Sequence, residues 1–179
     1  LKLKYKEEFP LKKTYLIEDL ITKGKALHFL EVTGGMLTKF NENGEIIYEI
    51  FEPSETLASG EVLSLEEKFL AGEGQNITPS RFSKDPNLQQ KISESVRAEL
   101  AKVAKILNVQ GYCRIDAFVR IFEDGKAETI IIEINSLPGM TPATCIFHQC
   151  AINHYKPYDF IDNILDFGAK RVAFSNIKV

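Results

Sequence analysis

Two carboxylates and a carboxamide near the ends of two apolar strands are the side chains of this sequence best suited to chemistry. Asp116 follows Arg114 in "CRIDAFV", and Glu133 and Asn135 stand two residues apart in "IIIEINSLPG". Asp124-Gly125 between these segments predicts a two-residue type I′ hairpin turn. That turn would place Asp116 directly opposite Glu133, with their Cβ atoms roughly 4.5 to 5.5 Å apart.

This opposed pair allows three interpretations. One carboxyl group could hold a proton through a raised pKa, a cation could lie between the two groups, or Arg114 could simply screen both acids on a solvated sheet face. A donor set of Asp, Glu and Asn suits Mg²⁺ or Mn²⁺ better than zinc, and Mg²⁺ commonly joins carboxylates to substrate phosphates. The Pro-Gly loop after Asn135 favours the cation site, because Gly139 would let a substrate approach backbone N–H groups that can form an oxyanion hole.

The elements that must position these residues follow an α+β pattern of hairpins and flanking helices. The same hairpin pairs Ile115 with Ile134, Ala117 with Ile132 and Val119 with Ile130, which turns these isoleucines toward the core. On the other face it pairs Arg114 with Asn135. Strands are predicted at 14–21, 26–32, 36–40 and 45–51, with a turn or bulge at Gly34-Gly35 and a hairpin turn at Asn43-Gly44 between the last two. Residues 52–82 are predicted to be irregular. Helices are predicted to begin at Pro86, capped by Asp85, and at Pro157; the first is predicted to end between Asn108 and Gly111.

Composition and charge exclude several classes of function. The net charge of −3 and the isoelectric point near 5.7 argue against a nucleic-acid partner. No apolar run is long enough to span a bilayer, and the first residues do not form a signal peptide. Cys113, Cys145 and Cys150 form no CxxC pair, so free thiols in a reducing cytoplasm are expected. The sequence starts at Leu1 without a methionine, which suggests part of a longer protein.

The run "GYCRIDAFVR…EDG…IIIEINSLPGMTPAT" resembles the carboxy-terminal signature of the D-alanine–D-alanine ligases of the ATP-grasp superfamily. The similarity extends from about Tyr15 to the last helix. It implies an ATP-grasp carboxy-terminal domain, mainly antiparallel sheet flanked by helices, at residues 25–179, and the end of the central subdomain with its hinge at residues 1–24. The amino-terminal domain would lie outside this chain, and the chain alone is expected to have little or no ligase activity.

The resemblance also implies an ATP- and Mg²⁺-dependent ligase that acts through an acyl phosphate and a tetrahedral intermediate. The implied metal ligands (Mg²⁺ or Mn²⁺) are Asp116, Glu133 and Asn135. The implied groups that stabilise the intermediate are Arg114 and the backbone at Gly139. The implied nucleotide contacts are Glu18, Asp19, Ile21, Lys68 and Ile132, with Lys68 reaching the γ-phosphate. The implied substrate contacts are Phe69, Thr144 and Cys145.

Departures from the family pattern keep other functions open. Leu65 and Phe69 replace tyrosines of the family's mobile loop, so D-lactate could replace the second D-alanine as acceptor. Ala26 stands where a ribose-binding Glu is expected. The alternatives are an ATP-grasp ligase with other substrates and a nucleotide-binding homologue without catalysis. The resemblance implies small-molecule substrates, a cytoplasmic location and a possible homodimer of the full-length protein.

Overall fold

A computed structural model describes residues 17–57, 76–141 and 144–176, with side chains as far as residue 172. The strands are β1 (His28–Phe40), β2 (Ile46–Ile50), β3 (Ser54–Thr56), β4 (Asn76–Ile77), β5 (Tyr112–Ile121) and β6 (Ala127–Asn135). The helices of the described ranges are α1 (Pro86–Ile106), α2 (Cys145–Ile152) and α3 (Pro157–Asn176).

The long strand β1 organises the sheet. It pairs with β5 along one edge, while its other edge pairs with β3 and then with β2. The strand order is β4-β3-β1-β5-β6, with β2 also on β1, and all of these pairs are antiparallel. The predicted α+β class, a mainly antiparallel sheet flanked by helices, is confirmed.

Helices cover both faces of the sheet and enclose two apolar cores. On one face α1 contributes Ile92, Val96 and Leu100, which pack against β1 and β5. On the other face α2 and α3 contribute Ile146 and Phe160 to a smaller core. Burial of such apolar surface is the main force that holds the layers together. The second face is the one that carries Asp116, because residues of a strand alternate between faces.

Both predicted helices begin in the structure at the residues that were predicted. The Asp85 side chain accepts a hydrogen bond of 2.9 Å from the Leu88 N–H and so caps α1, with Pro86 at its first turn. Helix α1 ends before Asn108, which has a φ of +50°. Pro157 begins α3 as predicted. Helix α2 was not predicted.

The predictions for the first strands are wrong in part. Residues 17–21 of the predicted strand 14–21 form neither strand nor helix, and residues 14–16 lie outside the described ranges. The two strands predicted at 26–32 and 36–40 are one continuous strand, β1. Gly34 and Gly35 lie inside it, not at a turn. A Cβ on Gly34 would come within 2.5 Å of Leu100 Cδ1, so close packing explains this glycine.

The segment predicted to be irregular contains the short strands β3 and β4. Glu55 in β3 accepts hydrogen bonds from the backbone N–H of Arg81 at 3.1 Å and from its guanidinium Nε at 2.9 Å. This pair fastens the edge of the sheet to the chain that leads into α1. Residues 58–75 of the segment lie outside the described ranges.

The β5–β6 hairpin closes through a three-residue loop, so the predicted type I′ turn is wrong. The Phe122 N–H donates to the Lys126 carbonyl oxygen at 2.9 Å, and the Gly125 N–H donates to the Phe122 carbonyl oxygen at 2.9 Å. Gly125 has a φ of +77°, but Asp124 is not among the positive-φ residues that a type I′ turn requires. The β1–β2 turn repeats this geometry, with Gly44 at a φ of +78°.

A β-bulge in β6 compensates for the different turn, so the polar residues of the two strands pair as predicted. The predicted pairs that are confirmed are Arg114–Asn135, Ile115–Ile134 and Asp116–Glu133. Beyond them the register shifts by one residue, so that Ala117 pairs with Ile131 and Phe118 with Ile130. The extra residue is Ile132, which is 42% exposed, and the prediction that it faces the core is wrong. Ile131 packs against the core in its place.

Candidate functional site

Asp116 is the buried centre of a polar cluster on the face covered by α2. It is 6% exposed and lies opposite Thr33 of β1, whose hydroxyl donates to its Oδ1 at 2.5 Å. The Arg114 guanidinium donates from Nε to Oδ1 at 3.0 Å and from Nη2 to Oδ2 at 2.9 Å. Arg114 and Asp116 are two residues apart in β5, so both side chains point to the same face. The two-point contact fixes the orientation of the carboxylate.

Asn135 joins the two predicted carboxylates. Its Nδ2 lies 3.3 Å from Asp116 Oδ2 and 3.4 Å from Glu133 Oε1. The carboxylate of Glu133, which is exposed, therefore approaches the same point from the adjacent strand. The structure brings together all four residues that the sequence predicted for the metal and the intermediate on this hairpin: Arg114, Asp116, Glu133 and Asn135.

The chemistry of this cluster fits a hard divalent cation. Three oxygen-bearing side chains converge, and a half-turn of the Asn135 carboxamide would replace Nδ2 with Oδ1 at the shared point. Mg²⁺ commonly takes one or two carboxylates and completes its shell with water and phosphate oxygens. In the described ranges no three His, Cys, Asp or Glu residues group as a metal site. A cation here would therefore depend on Asp116 and Glu133, with Asn135 and ligand oxygens completing its coordination.

Burial and neighbouring charges shift the pKa values of the side chains around Asp116. Burial alone would lower the pKa of Arg114, but hydrogen bonds to Asp116 and the charge of that carboxylate outweigh it and raise the pKa above its usual value. Arg114 therefore stays charged. Burial raises the pKa of the Cys145 thiol, and the charge of Arg114 opposes that shift in part. Cys145 is a neutral thiol near the guanidinium, which does not suit a nucleophile.

The loop after β6 returns to the cluster through the start of α2. Gly139 is exposed, and a Cβ built on it would meet only the methyl carbon of Thr144, at 3.7 Å. Packing within the described ranges therefore leaves room for a larger residue at Gly139. Thr144 is the N-cap of α2, and its hydroxyl donates to the Thr141 carbonyl oxygen at 2.8 Å. Cys145 is the first residue of α2.

An apolar strip continues the same face beyond Asp116, and the sequence reasoning missed most of it. Phe29 of β1 and Phe118 of β5 stack with ring centroids 5.0 Å apart. Both rings are only partly buried. Ile132, at the bulge between Ile131 and Glu133, stands exposed next to the acidic cluster. The alternation of β5 could have indicated Phe118, since Arg114, Asp116 and Phe118 share one face.

Thr33 was also missed, because it lies just after the strand predicted at 26–32. Its partnership with Asp116 depends on the pairing of β1 with β5, which no local pattern in the sequence specifies.

The remaining predicted residues are not brought to the cluster by described contacts. Glu18 and Asp19 are exposed and Ile21 is half-buried, in the segment that precedes β1. Arg120 Nε donates to the Thr22 carbonyl oxygen at 2.7 Å and ties that segment to β5. Lys68 and Phe69 lie outside the described residues.

The sheet, its flanking helices and the acidic hairpin define an ATP-grasp carboxy-terminal domain of the D-alanine ligase type. A family model described as "D-ala D-ala ligase C-terminus" matches residues 6–166. The chain belongs to this family, and the predicted resemblance is confirmed.

Individual relatives agree with this membership. The D-alanine–D-alanine ligase of Carboxydothermus hydrogenoformans is 29% identical over 166 residues, which cover 91% of this chain and 48% of that protein. The D-alanine–D-alanine ligase of Syntrophobacter fumaroxidans is 32% identical over 127 residues, which cover 71% of this chain and 36% of the relative. The chain thus spans about half, or less, of the length of these relatives.

Solved structures show the same fold. The D-alanine–D-alanine ligase from Coxiella burnetii matches with a TM-score of 0.55 at 12% identity, covering 82% of this chain and 34% of that one. The D-alanyl-alanine synthetase A from Vibrio cholerae matches with a TM-score of 0.50 at 22% identity, covering 79% and 39% of the two chains. Within the part of the chain that the structure describes, no helix has the length and apolar character needed to cross a bilayer.

Proposed function

We propose that this chain supplies the metal-binding and acceptor-binding part of an ATP-dependent ligase that joins D-alanine to a second D-alanine. One observation carries the proposal: Asp116, Glu133 and Asn135 converge beside a charged Arg114, in a chain of this family. Two carboxylates placed opposite each other repel, and a cation between them removes that cost.

The proposed reaction has two steps. The carboxylate of the first D-alanine attacks the γ-phosphorus of ATP, which gives an acyl phosphate and ADP. The amine of the second D-alanine then attacks the acyl carbon, and the tetrahedral intermediate expels phosphate. Bound Mg²⁺ would offset the negative charge of the phosphates.

The residues of this chain have distinct roles in that reaction. Asp116, Glu133 and Asn135 hold the cation. Arg114 donates from its guanidinium to phosphate or oxyanion oxygens, since a preorganised positive group is most effective where charge develops in the transition state. The backbone N–H of Gly139 serves the same oxyanion. Thr144 and Cys145 contact the acceptor at the start of α2.

The nucleotide is proposed to lie along the strip that extends from the acidic cluster. Phe29, Phe118 and Ile132 offer an apolar surface for the adenine next to the carboxylates that would face the phosphates through the cation. The predicted contacts Glu18, Asp19 and Ile21 lie in the segment anchored to the same end of β5 through Arg120. Lys68 is proposed for the γ-phosphate and Phe69 for the substrate, both from the family resemblance.

The organisation of the full-length protein follows from the same proposal. Residues 1–24 would end the central subdomain and form its hinge, and residues 25–179 would form the carboxy-terminal catalytic domain. The full-length protein would act in the cytoplasm on small-molecule substrates, as a homodimer and without a nucleic-acid partner. The three cysteines are free thiols in the structure, which agrees with a reducing compartment.

Phosphate release by the full-length protein with ATP and Mg²⁺ tests the proposal. We expect release that requires D-alanine and yields D-alanyl-D-alanine. A mixed assay with D-lactate distinguishes the second candidate, since a depsipeptide product would identify a hydroxy acid as acceptor. Nucleotide binding without D-alanine-dependent release would instead indicate a homologue without ligase activity.

A further inference from the structure

Gln149 of α2 is a fully buried side chain that fills a gap in the edge of β1. Its Oε1 accepts a hydrogen bond of 2.8 Å from the Gly35 N–H, and its Nε2 donates to the Thr33 carbonyl oxygen at 2.7 Å. Nε2 also donates to the Ser54 hydroxyl at 2.9 Å. The gap lies between the stretches of β1 that pair with β3 and with β2. One carboxamide therefore satisfies backbone groups that would otherwise be buried without partners.

The fit between Gln149 and β1 requires a glycine. A Cβ on Gly35 would lie 2.4 Å from Gln149 Oε1 and 3.1 Å from Ile146 Cγ1. Side-chain atoms cannot approach so closely, so any larger residue at position 35 would displace the carboxamide. Gly35 and Gln149 form a matched pair across the interface between β1 and α2.

This pair connects two parts of the candidate site. Thr33, whose carbonyl oxygen is held by Gln149, uses its own hydroxyl to hold Asp116 Oδ1. Gln149 lies one helical turn after Cys145, in the helix that begins at Thr144. The first turn of α2 and the hydrogen bonds of Gln149 and Thr33 thus connect the proposed acceptor-binding residues to Asp116, a proposed metal ligand.

We infer that Gln149 is a positioning residue that sets the orientation of Asp116 for the cation through Thr33 and couples it to helix α2. This inference rests on the proposed function. Residues that orient a ligand from behind commonly change metal affinity or activity by about 10- to 100-fold. Gln149 acts through one further residue, so the lower end of that range, about tenfold, is expected.

The test compares five variants of the full-length protein with wild type. Gln149→Met keeps the size of the side chain but removes all three hydrogen bonds, and Thr33→Val removes only the hydroxyl. Both should raise about tenfold the Mg²⁺ concentration that gives half-maximal phosphate release. Thr33→Ser retains the hydroxyl and should restore the wild-type requirement. The metal itself is measured separately, by the electron paramagnetic resonance signal of free Mn²⁺ in the presence of a non-hydrolysable ATP analogue.

Gly35→Ala and Gly34→Ala form the matched control. Both add a methyl group to β1 with nearly equal overlap, 2.4 Å from Gln149 and 2.5 Å from Leu100. Both should lower the melting temperature, but only Gly35→Ala should weaken Mn²⁺ binding. If both glycine variants change Mn²⁺ affinity equally, or if Gln149→Met and Thr33→Val leave it unchanged, the inference is wrong and the proposed function stands. Absence of Mn²⁺ binding and of Mg²⁺-dependent phosphate release in wild type would overturn both.

Discussion

Asp116 and Glu133 lie directly opposite each other in β5 and β6, yet their surroundings differ sharply. Asp116 is buried and accepts hydrogen bonds from Thr33, Arg114 and Asn135, while Glu133 is exposed. The pair therefore combines a buried carboxylate of fixed orientation with a carboxylate at the surface, where ligand oxygens could complete the coordination of the proposed cation.

Replacing Asp116 with Asn should disable the proposed metal site and leave the size of the side chain nearly unchanged. The amide carries no negative charge, so we expect the Mg²⁺ requirement of phosphate release to rise more than about tenfold. Asp124→Asn is the matched control, because Asp124 pairs with Lys126 at the exposed turn of the same hairpin. Titration of activity with Mg²⁺ checks the prediction. An unchanged requirement in Asp116→Asn would refute the assignment of this ligand.

Replacing Arg114 with Lys should reduce turnover more than substrate binding. Lysine keeps the charge but loses the planar fork that contacts two oxygens at once. Loss of one donor to a developing oxyanion typically costs about 10²- to 10³-fold in kcat. The control is Arg81→Lys, because the Arg81 guanidinium also makes a two-point contact with a carboxylate, that of Glu55 in β3, and has no described contact with the acidic cluster. Steady-state kinetics would contradict the role of Arg114 if kcat were equal in both variants.

Ile132 and Ile47 offer a controlled test of the proposed nucleotide binding at the apolar strip. Both are isoleucines in strands with similar exposure, 42% and 48%, but only Ile132 adjoins Glu133. Ile132→Ser should weaken ATP binding about tenfold or less, since burying one such side chain contributes about 1.5 to 3 kcal/mol when complete. Ile47→Ser should leave it unchanged. Calorimetric titration with a non-hydrolysable analogue gives both constants, and equal affinities would argue against adenine binding at Ile132.

Two buried thiols should make the protein less stable in alkaline solution. Burial raises the pKa of Cys113 and of Cys150 to about 12, whereas an unfolded thiol ionises near pH 9. Between these values the unfolded state loses the protons that the native state keeps, so rising pH favours unfolding. The free energy of unfolding should fall by up to about 1.4 kcal/mol per pH unit for each thiol above pH 9.

Urea unfolding at several values between pH 8 and pH 10.5 measures this slope. The double variant Cys113→Ala and Cys150→Ala should start from lower stability, because it leaves small cavities, but its stability should fall less steeply above pH 9. Equal slopes in the variant and in wild type would show that other groups cause the alkaline loss.

Local patterns predicted which polar side chains of the hairpin lie together better than they predicted the elements around them. The assumed two-residue turn and the alternation of β5 and β6 together placed Asp116 opposite Glu133, because each strand has one apolar face. The turn was wrong: a three-residue loop and a type I′ turn share the Asp-Gly signal, and the bulge at Ile132 compensates for the difference. Such compensation depends on the packing of Ile131 against α1, which a hairpin alone does not reveal.

The contacts from β1 could not be predicted in the same way. Gly34-Gly35 indicates a turn when read locally, but both glycines serve close packing inside a strand, against Leu100 and Gln149. The partners are separated from them by many residues in the sequence. Thr33 and Gln149 therefore become visible only when β1 is placed between β5 and α2.

The fate of one oxygen atom tests the central claim most directly. D-alanine with ¹⁸O at both carboxylate oxygens is incubated with the full-length protein, ATP and Mg²⁺, and the released phosphate is analysed by mass spectrometry. If the carboxylate attacks ATP to form an acyl phosphate, each phosphate released by ligation carries one ¹⁸O. Phosphate without ¹⁸O would mean that water attacks ATP instead, and that the acidic hairpin does not serve carboxylate activation.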